Sequence, residues 1–571
     1  MRNKLLVIFL YFLIFLKFSS NSLAETHAEK LQAPLFDNLG AFHFPVSTKV
    51  PMAQRFFDQG MVLYYGFEWG ESIRSFKEAI RLDANCGMCY WGLALANVSK
   101  INAPLTGYEY RDGKNAIQKA LLLKNNETTV EQAYIQALAR RFQHKPKKVM
   151  PAAGIFSCHT SSTADDVSSE TERLNYAKAM KKIIDTYPLD NNAKALYVYA
   201  LFDMSKWNFW NVDNTINPVT PLIIKTLKSI VSSDKLHVGG NHYYIHVIEQ
   251  SPHPENALES AIRLKTLVPG SEHLVHMPAH IYFLTGQYHE GTRANQQAIE
   301  AFKTYNKICF EQGFNPEINY LYFHNYDFLR TTATMEGRKQ LALSAAREMI
   351  GQPFATWLAN ELYLQWYIPI PYFVEARFGM WSDILKESRP NEKYQYALGM
   401  WYYARGLAFV HTGNIINAER ESSALNKIIN KGSTDNNLQI NGINLLKIAD
   451  SILKATLADQ AGNEQLMLTY LKKADKIQHD MGYHEPPDWY FPVKEVLGDA
   501  YLKWNHPKQA IEMYEHVLKQ YPKNGWALFG LAKSLKQLGK NQEADHVSEE
   551  FKEAWRYSDI PVPIASVILT E

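Results

Sequence analysis

Cysteine is scarce in this chain, four in 571 residues, and a disulfide-stapled scaffold is excluded at that density. An excess of one charge is missing as well. Lys and Arg number 60 against 58 Asp and Glu, a formal charge of +2, so the chain has no electrostatic footprint for nucleic acid. Beyond residues 5–16, no apolar run approaches the length of a membrane-spanning helix, about 20 residues. No glycine-rich phosphate loop, Ser-His-Asp order or paired-acid motif stands out, which leaves nucleotide, covalent hydrolase and glycosidase chemistry without support. What is abundant is apolar and aromatic mass: 46% of residues are apolar and 13% aromatic, with 33 Tyr and 12 Trp. Such a chain fills several domain-sized cores or one extended array of packed helices.

The N-terminus reads as a secretory signal peptide. Arg2 and Lys4 precede the short apolar run, and Ser22 and Ala24 place small residues before an expected cleavage at Glu25. Lys17 interrupts the run, which is too short to span a hydrocarbon core of roughly 30 Å. The expectation is a secreted or periplasmic protein, cleaved after Ala24, with no transmembrane segment in the mature chain. Loss of Arg2, Lys4 and Lys17 would leave the body at a formal charge of −1.

Export bears on the cysteines, because thiols outside the cytoplasm oxidise. Cys86 and Cys89 form a C-x-x-C pair in front of an apolar helical stretch, and Tyr90 follows where haem attachment would need His. Three readings stand: a packed or disulfide-bonded pair, a metal-ligand pair, and a redox pair. Cys158 and Cys309 are isolated and read as inert.

A step of 34 residues recurs along the chain, with insertions lengthening the other steps and the individual repeats degenerate. Pro269, Gly286, Tyr288 and Ala298 take fixed places in one frame. Gly498, Tyr501, Ala510, Tyr514 and Pro522 take theirs in a second, and Gly406, Phe409, Gly413 and Ala418 in a third. On these residues the chain resembles the tetratricopeptide repeat (TPR) family. In that family, small residues at repeat positions 8, 20 and 27 let two helices approach, and large ones at 4, 7, 11 and 24 fill the space between. Frames open near Ala53, Gly87, Ala193, Val238, Glu272, Phe323, Gln365, Gly399, Ile448, Phe491 and Gly525. The resemblance implies an all-α, right-handed TPR-type α-solenoid. The expected organisation is a signal peptide at 1–24, N-terminal repeats at 25–144, a flexible loop at 145–171, central repeats at 172–350, C-terminal repeats at 351–556 and a tail at 557–571. Two further insertions interrupt the repeats, at 208–221 and at 480–490. The second carries Tyr483, Pro486, Pro487 and Trp489 and reads as a rigid spacer or as a cover over a groove.

Eight of the 19 histidines fall between positions 237 and 289. Their phase matters more than their number. With Val238 and Glu272 opening consecutive frames, His242 and His276 both take position 5, and His246 and His280 both take position 9. His273 and His324 both take position 2 of their frames, Glu249 takes position 12 of the first and Asp327 position 5 of the last. Residues four apart share a helix face, and the TPR resemblance implies that positions 2, 5, 9 and 12 line the concave groove. The expectation is a groove floor of histidines with Glu249 and Asp327 nearby.

Imidazoles and carboxylates in this arrangement are ligands for a divalent transition metal such as Zn, Cu or Fe. A zinc-peptidase helix is not supported, because Tyr243 and Met277 stand where its Glu would follow the first His. Two other readings stand beside the metal site. One is a metal-free groove for a protein or peptide, served by Asn241, Tyr243, Tyr244, Tyr282 and Asn325; the other is hydrogen bonding within the stack. Pro278 lacks an N–H inside this segment and is expected to kink the helix or to mark its start. The strings around His242–His246 and His273–His280 also look like those of a group of exported bacterial TPR proteins, a likeness that carries no activity with it. Two functions are therefore expected as alternatives: an exported scaffold with a ligand in its groove, and a metal-dependent enzyme or metal-handling protein.

Overall fold

Helix follows helix along the chain, each packed chiefly on its neighbours in sequence. The computed structural model describes residues 33–98, 107–143, 170–211, 213, 215–314, 320–351, 354–360, 362–432 and 440–563. The expected signal segment, and the 145–171 loop with Cys158 except for its last two residues, lie outside the described residues. Among the described residues the only extended pairing is a single bridge between Trp210 and Ile216, inside the 208–221 insertion. The architecture is an all-α, TPR-type solenoid.

The reason for the small-residue frame is visible at Tyr514. It lies on the helix Pro507–Gln520 and is sandwiched by the two flanking helices at Gly498 and Gly530. A Cβ at these glycines would sit 2.7 and 2.2 Å from its ring, so only glycine permits the approach. Phe76 is held in the same way between Gly60 and Gly92.

Seven helices position the histidines. We label them α1 (Pro51–Tyr65), α2 (Trp69–Leu82), α3 (Val238–Glu249), α4 (Glu272–His276), α5 (Pro278–Leu284), α6 (Tyr288–Glu311) and α7 (Tyr320–Met335). All twelve residues of α3 are buried, as expected of a helix whose apolar side chains encircle it. His237 caps its start: its Nδ1 accepts the Gly240 N–H at 3.0 Å, which puts the ring proton on Nε2, 3.2 Å from Asn192 Oδ1. Gly239 allows α3 to close on α1, since a Cβ there would lie 2.6 Å from the Tyr65 ring.

The expected kink at Pro278 is present. Proline removes the N–H that would bond back to Leu274, and α4 gives way to α5 across Met277. Ser271 caps α4 and is itself held by Glu68, from the turn between α1 and α2. Burial pushes the Glu68 carboxyl up to about 7.

The two ends of the stack fold back on its middle. Gly270 N–H donates to Asn38 O at 2.8 Å, and Tyr305 of α6 donates to Glu71 of α2 at 3.0 Å. From the other end, Tyr288 donates to Pro522 O at 2.9 Å, Trp526 Nε1 donates to Thr334 O at 3.1 Å, and Arg377 pairs with Glu495 at 2.5 Å. Among the described residues no helix is long and apolar enough to cross a membrane.

Candidate metal centre

The structure brings the six histidines together in two triads: His242, His246 and His273 in one, and His276, His280 and His324 in the other. Within each triad one ligand atom per residue lies within 4.8 Å of the others. The grouping follows the repeat: each triad takes positions 5 and 9 of one frame and position 2 of the next. The sequence showed these positions, but not that position 2 of a following repeat completes the set. The six histidines fall into two sets, one per repeat junction.

The side chains do not floor an open groove. All six are at most 4% exposed, and Asn241, Tyr243, Tyr244, Tyr282 and Asn325 are buried with them. Aromatic rings close the space. Phe67 lies 4.6, 5.7 and 5.6 Å from the rings of His242, His246 and His273, and Trp207 lies 4.9 Å from His246. Both are non-glycine residues in the left-handed region, with φ of 59° and 62°. Such backbone costs about 1–3 kcal/mol per residue and is retained where the surroundings demand it. Phe328 closes the second triad, 5.1, 4.7 and 5.4 Å from His276, His280 and His324.

Hydrogen bonds fix which nitrogen carries the proton in three of the rings. His242 Nδ1 donates to Tyr65 O at 2.5 Å, and His246 Nδ1 donates to Glu249 Oε1 at 2.9 Å. His276 Nδ1 donates to Asn295 Oδ1 at 2.7 Å, and the Asn295 amide is oriented by its own donation to Gly291 O at 2.8 Å. His280 Nδ1 lies 2.7 Å from a carboxylate oxygen of Glu249 and 2.7 Å from one of Glu485. His242, His246 and His276 therefore keep Nε2 as the unprotonated nitrogen when the ring is neutral.

The Nε2 atoms of the rings face one another. His276 Nε2 stands 2.8 Å from His280 Nε2, His324 Nε2 is 3.4 Å from His280 Nε2, and His242 Nε2 is 3.1 Å from His273 Nε2. Burial drives the His242, His273 and His276 rings well below the usual imidazole range, so they stay neutral. Ring nitrogens 2.8 Å apart share either a proton or a cation between them. Metal-binding histidines are held in this way, with Nδ1 donating to a carbonyl or carboxylate and Nε2 turned toward the ion.

The remaining expected residues divide. Glu249 joins the centre and bridges the triads, contacting His246 in one and His280 in the other. Asp327 instead turns to Arg330, with its Oδ1 3.0 Å from Arg330 Nε. Cys86 and Cys89 are joined by a buried disulfide of 2.07 Å, so neither offers a thiolate. Glu485 was not singled out from the sequence. It comes from the 480–490 connection, is buried, and forms a third group with Glu249 and His280 that could hold a metal. The connection thus covers the centre as well as spacing the repeats.

Residues 493–524 match the tetratricopeptide repeat family. No curated protein sequence matches the chain. Among solved structures, human IFIT1 with m7Gppp-AAAA is similar at 11% identity, covering 89% of this chain and 91% of that one, with a TM-score of 0.29. The Naa15/Naa10 complex with HypK-THB matches at 12% identity over 88% of this chain and 70% of that one, TM-score 0.21. The TPR domain of P58(IPK) matches at 10% identity over 86% and 99%, TM-score 0.20. The chain therefore carries a tetratricopeptide repeat at residues 493–524, within an all-α stack of TPR type that suits protein contact and that encloses histidine and glutamate groups able to hold a metal.

Proposed function

We propose that this protein is an exported, metal-binding TPR protein that holds two transition-metal ions, one in each histidine triad. The observation that carries the reading is the convergence of one ligand atom per ring in each triad, with Nδ1 of His242, His246 and His276 already held by a carbonyl, a carboxylate and an amide oxygen. Three imidazoles per ion fit zinc, copper or iron. The Cys86–Cys89 disulfide supports export, because such bonds persist in oxidising compartments. Membership of the exported, motif-bearing TPR group belongs to the same proposal. The outer surface of the solenoid supplies the protein contacts of a TPR scaffold, while the centre itself is closed to a peptide.

The test is elemental analysis of the mature chain purified without a histidine tag. Two equivalents of a transition metal are expected, with both lost in a His246→Ala/His280→Ala double variant of unchanged helix content. No bound metal after reconstitution with zinc, copper or iron would overturn the proposal.

A further inference from the structure

Each triad has a fourth ring that carries no donor. The centroids of His242, His246 and His273 stand 4.7, 4.9 and 5.8 Å apart in pairs, and that of Phe67 lies 4.6, 5.7 and 5.6 Å from them. These four rings mark the corners of a slightly irregular tetrahedron. His276, His280 and His324 stand 4.8, 4.6 and 5.5 Å apart, and Phe328 lies 5.1, 4.7 and 5.4 Å from them, which builds the same figure a second time. Four imidazoles bound through Nε2 to one tetrahedral ion at about 2.0–2.1 Å have centroids about 5.2 Å apart and nitrogens about 3.3–3.4 Å apart. The edges of both figures scatter around the first value. Ring spacing alone is that of any aromatic cluster, about 4.5–7 Å, and it is the inward nitrogens that give the figures a centre. Their separations, 3.1 Å between His242 and His273, 2.8 Å between His276 and His280 and 3.4 Å between His280 and His324, fall at or somewhat below the second value.

A three-histidine set ordinarily leaves its fourth position to water or substrate, and that open position is what makes such a site catalytic. Here a phenyl ring stands at the fourth corner, with no lone pair to give. Phe67 is fixed there by stacking on Trp69 and Tyr243, at 5.4 and 5.8 Å, and it keeps its left-handed backbone to do so. Phe328 is fully buried on α7, and Phe67 is 5% exposed. The carboxylates do not take the corner of the second triad, because Glu249 and Glu485 meet His280 at Nδ1 and not at Nε2.

We propose, on the basis of the metal-binding reading above, that Phe67 and Phe328 shut the fourth coordination position of the two triads, so that the centre holds its ions away from water and substrate and ties successive repeats together. The first triad joins α3 to α4, and the second joins α4 and α5 to α7. Of the two uses open to such a histidine centre, metal-dependent catalysis and the holding of metal, the corner rings select the second.

Co(II) is the probe, because its visible spectrum changes when a further ligand enters its coordination shell, and azide is the ligand offered. The full mature chain is loaded with Co(II) and titrated with azide. Phe67→Ala and Phe328→Ala should each admit azide to one of two bound ions, and wild type should show less than a tenth of the spectral change seen in either. Removing a buried phenyl ring can unfold the chain, so Phe67→His and Phe328→His form a second pair. Each keeps a ring at the corner and gives it a nitrogen, and histidine tolerates the left-handed backbone at position 67. These variants should hold Co(II) at one site at least tenfold more tightly against a chelator, with azide still excluded. Helix content is checked against wild type throughout. Azide binding to the wild-type ions would overturn this inference and leave the metal-binding reading standing. Folded alanine variants that hold two ions and stay closed to azide, or folded histidine variants that bind no more tightly, would overturn it in the same way. Wild type that binds no Co(II), zinc, copper or iron would overturn both.

Discussion

At the scale of single residues, the centre is defined as much by what holds the rings as by the rings themselves. Asn295 touches only Nδ1 of His276, yet it decides that Nε2 is the free lone pair. Replacing it with Ala leaves that tautomer unfixed, and metal affinity is expected to fall about 10- to 100-fold without loss of fold, as read by competition with a chelator. His237 tests electrostatics in the same layer. Burial pushes its pKa down to about 4, against 6.5 in an unfolded chain. The unfolded state therefore binds the extra proton between these values, and the stabilisation that is complete above pH 6.5 is lost as pH falls toward 4. Relative to His237→Asn, which keeps a capping side chain, metal-free wild type should lose on the order of 3 kcal/mol over that window. Denaturation midpoints of the two proteins, measured side by side, check this. The comparison with the variant matters because Glu68, raised to about 7, acts in the opposite sense, losing its contribution as pH rises from 4.5.

At the scale of elements, the geometry depends on close approach and on one kink. Gly239 lets α3 reach Tyr65, whose carbonyl receives the His242 proton. Gly239→Ala inserts a methyl group 2.6 Å from a ring atom and should cost about 1–3 kcal/mol. It should also weaken the first triad more than the second, seen as loss of one of two metal equivalents under chelation. Much of this was legible in the sequence. Positions 2, 5 and 9 of the frames opening at Val238, Glu272 and Phe323 name all six histidines, although only the first step is 34 residues and the second is 51, because helix periodicity and repeat periodicity are both local signals. The break at Pro278 was legible for the same reason. Phe67, Trp207 and Asn295 were not, since nothing in a turn after Gly66 or a helix of mixed polarity marks a side chain that will meet a ring from another repeat.

At the scale of the whole molecule, the centre exists because the stack closes on itself. Glu485 lies more than 200 positions from His280 in sequence and still comes within 2.7 Å of it. That contact depends on the C-terminal repeats returning to the middle ones, where Trp526 donates to Thr334 O and lies under the Arg377 guanidinium at 3.7 Å. No local pattern encodes such a return, which is why the sequence suggested an open groove where the structure has a buried site. Trp526→Ala should cost about 3–5 kcal/mol and release the 480–490 cover. Metal should then pass to a chelator faster, with equilibrium content in the absence of chelator little changed.

The account turns on two ions, one per repeat junction. Anomalous diffraction from crystals of the reconstituted protein, collected at the absorption edge of the bound metal, measures this directly. Two peaks are predicted, one within about 2.0–2.1 Å of ring nitrogens of His242, His246 and His273, the other equally placed among His276, His280 and His324. A single peak shared by both triads, or no peak among these six rings, would contradict it.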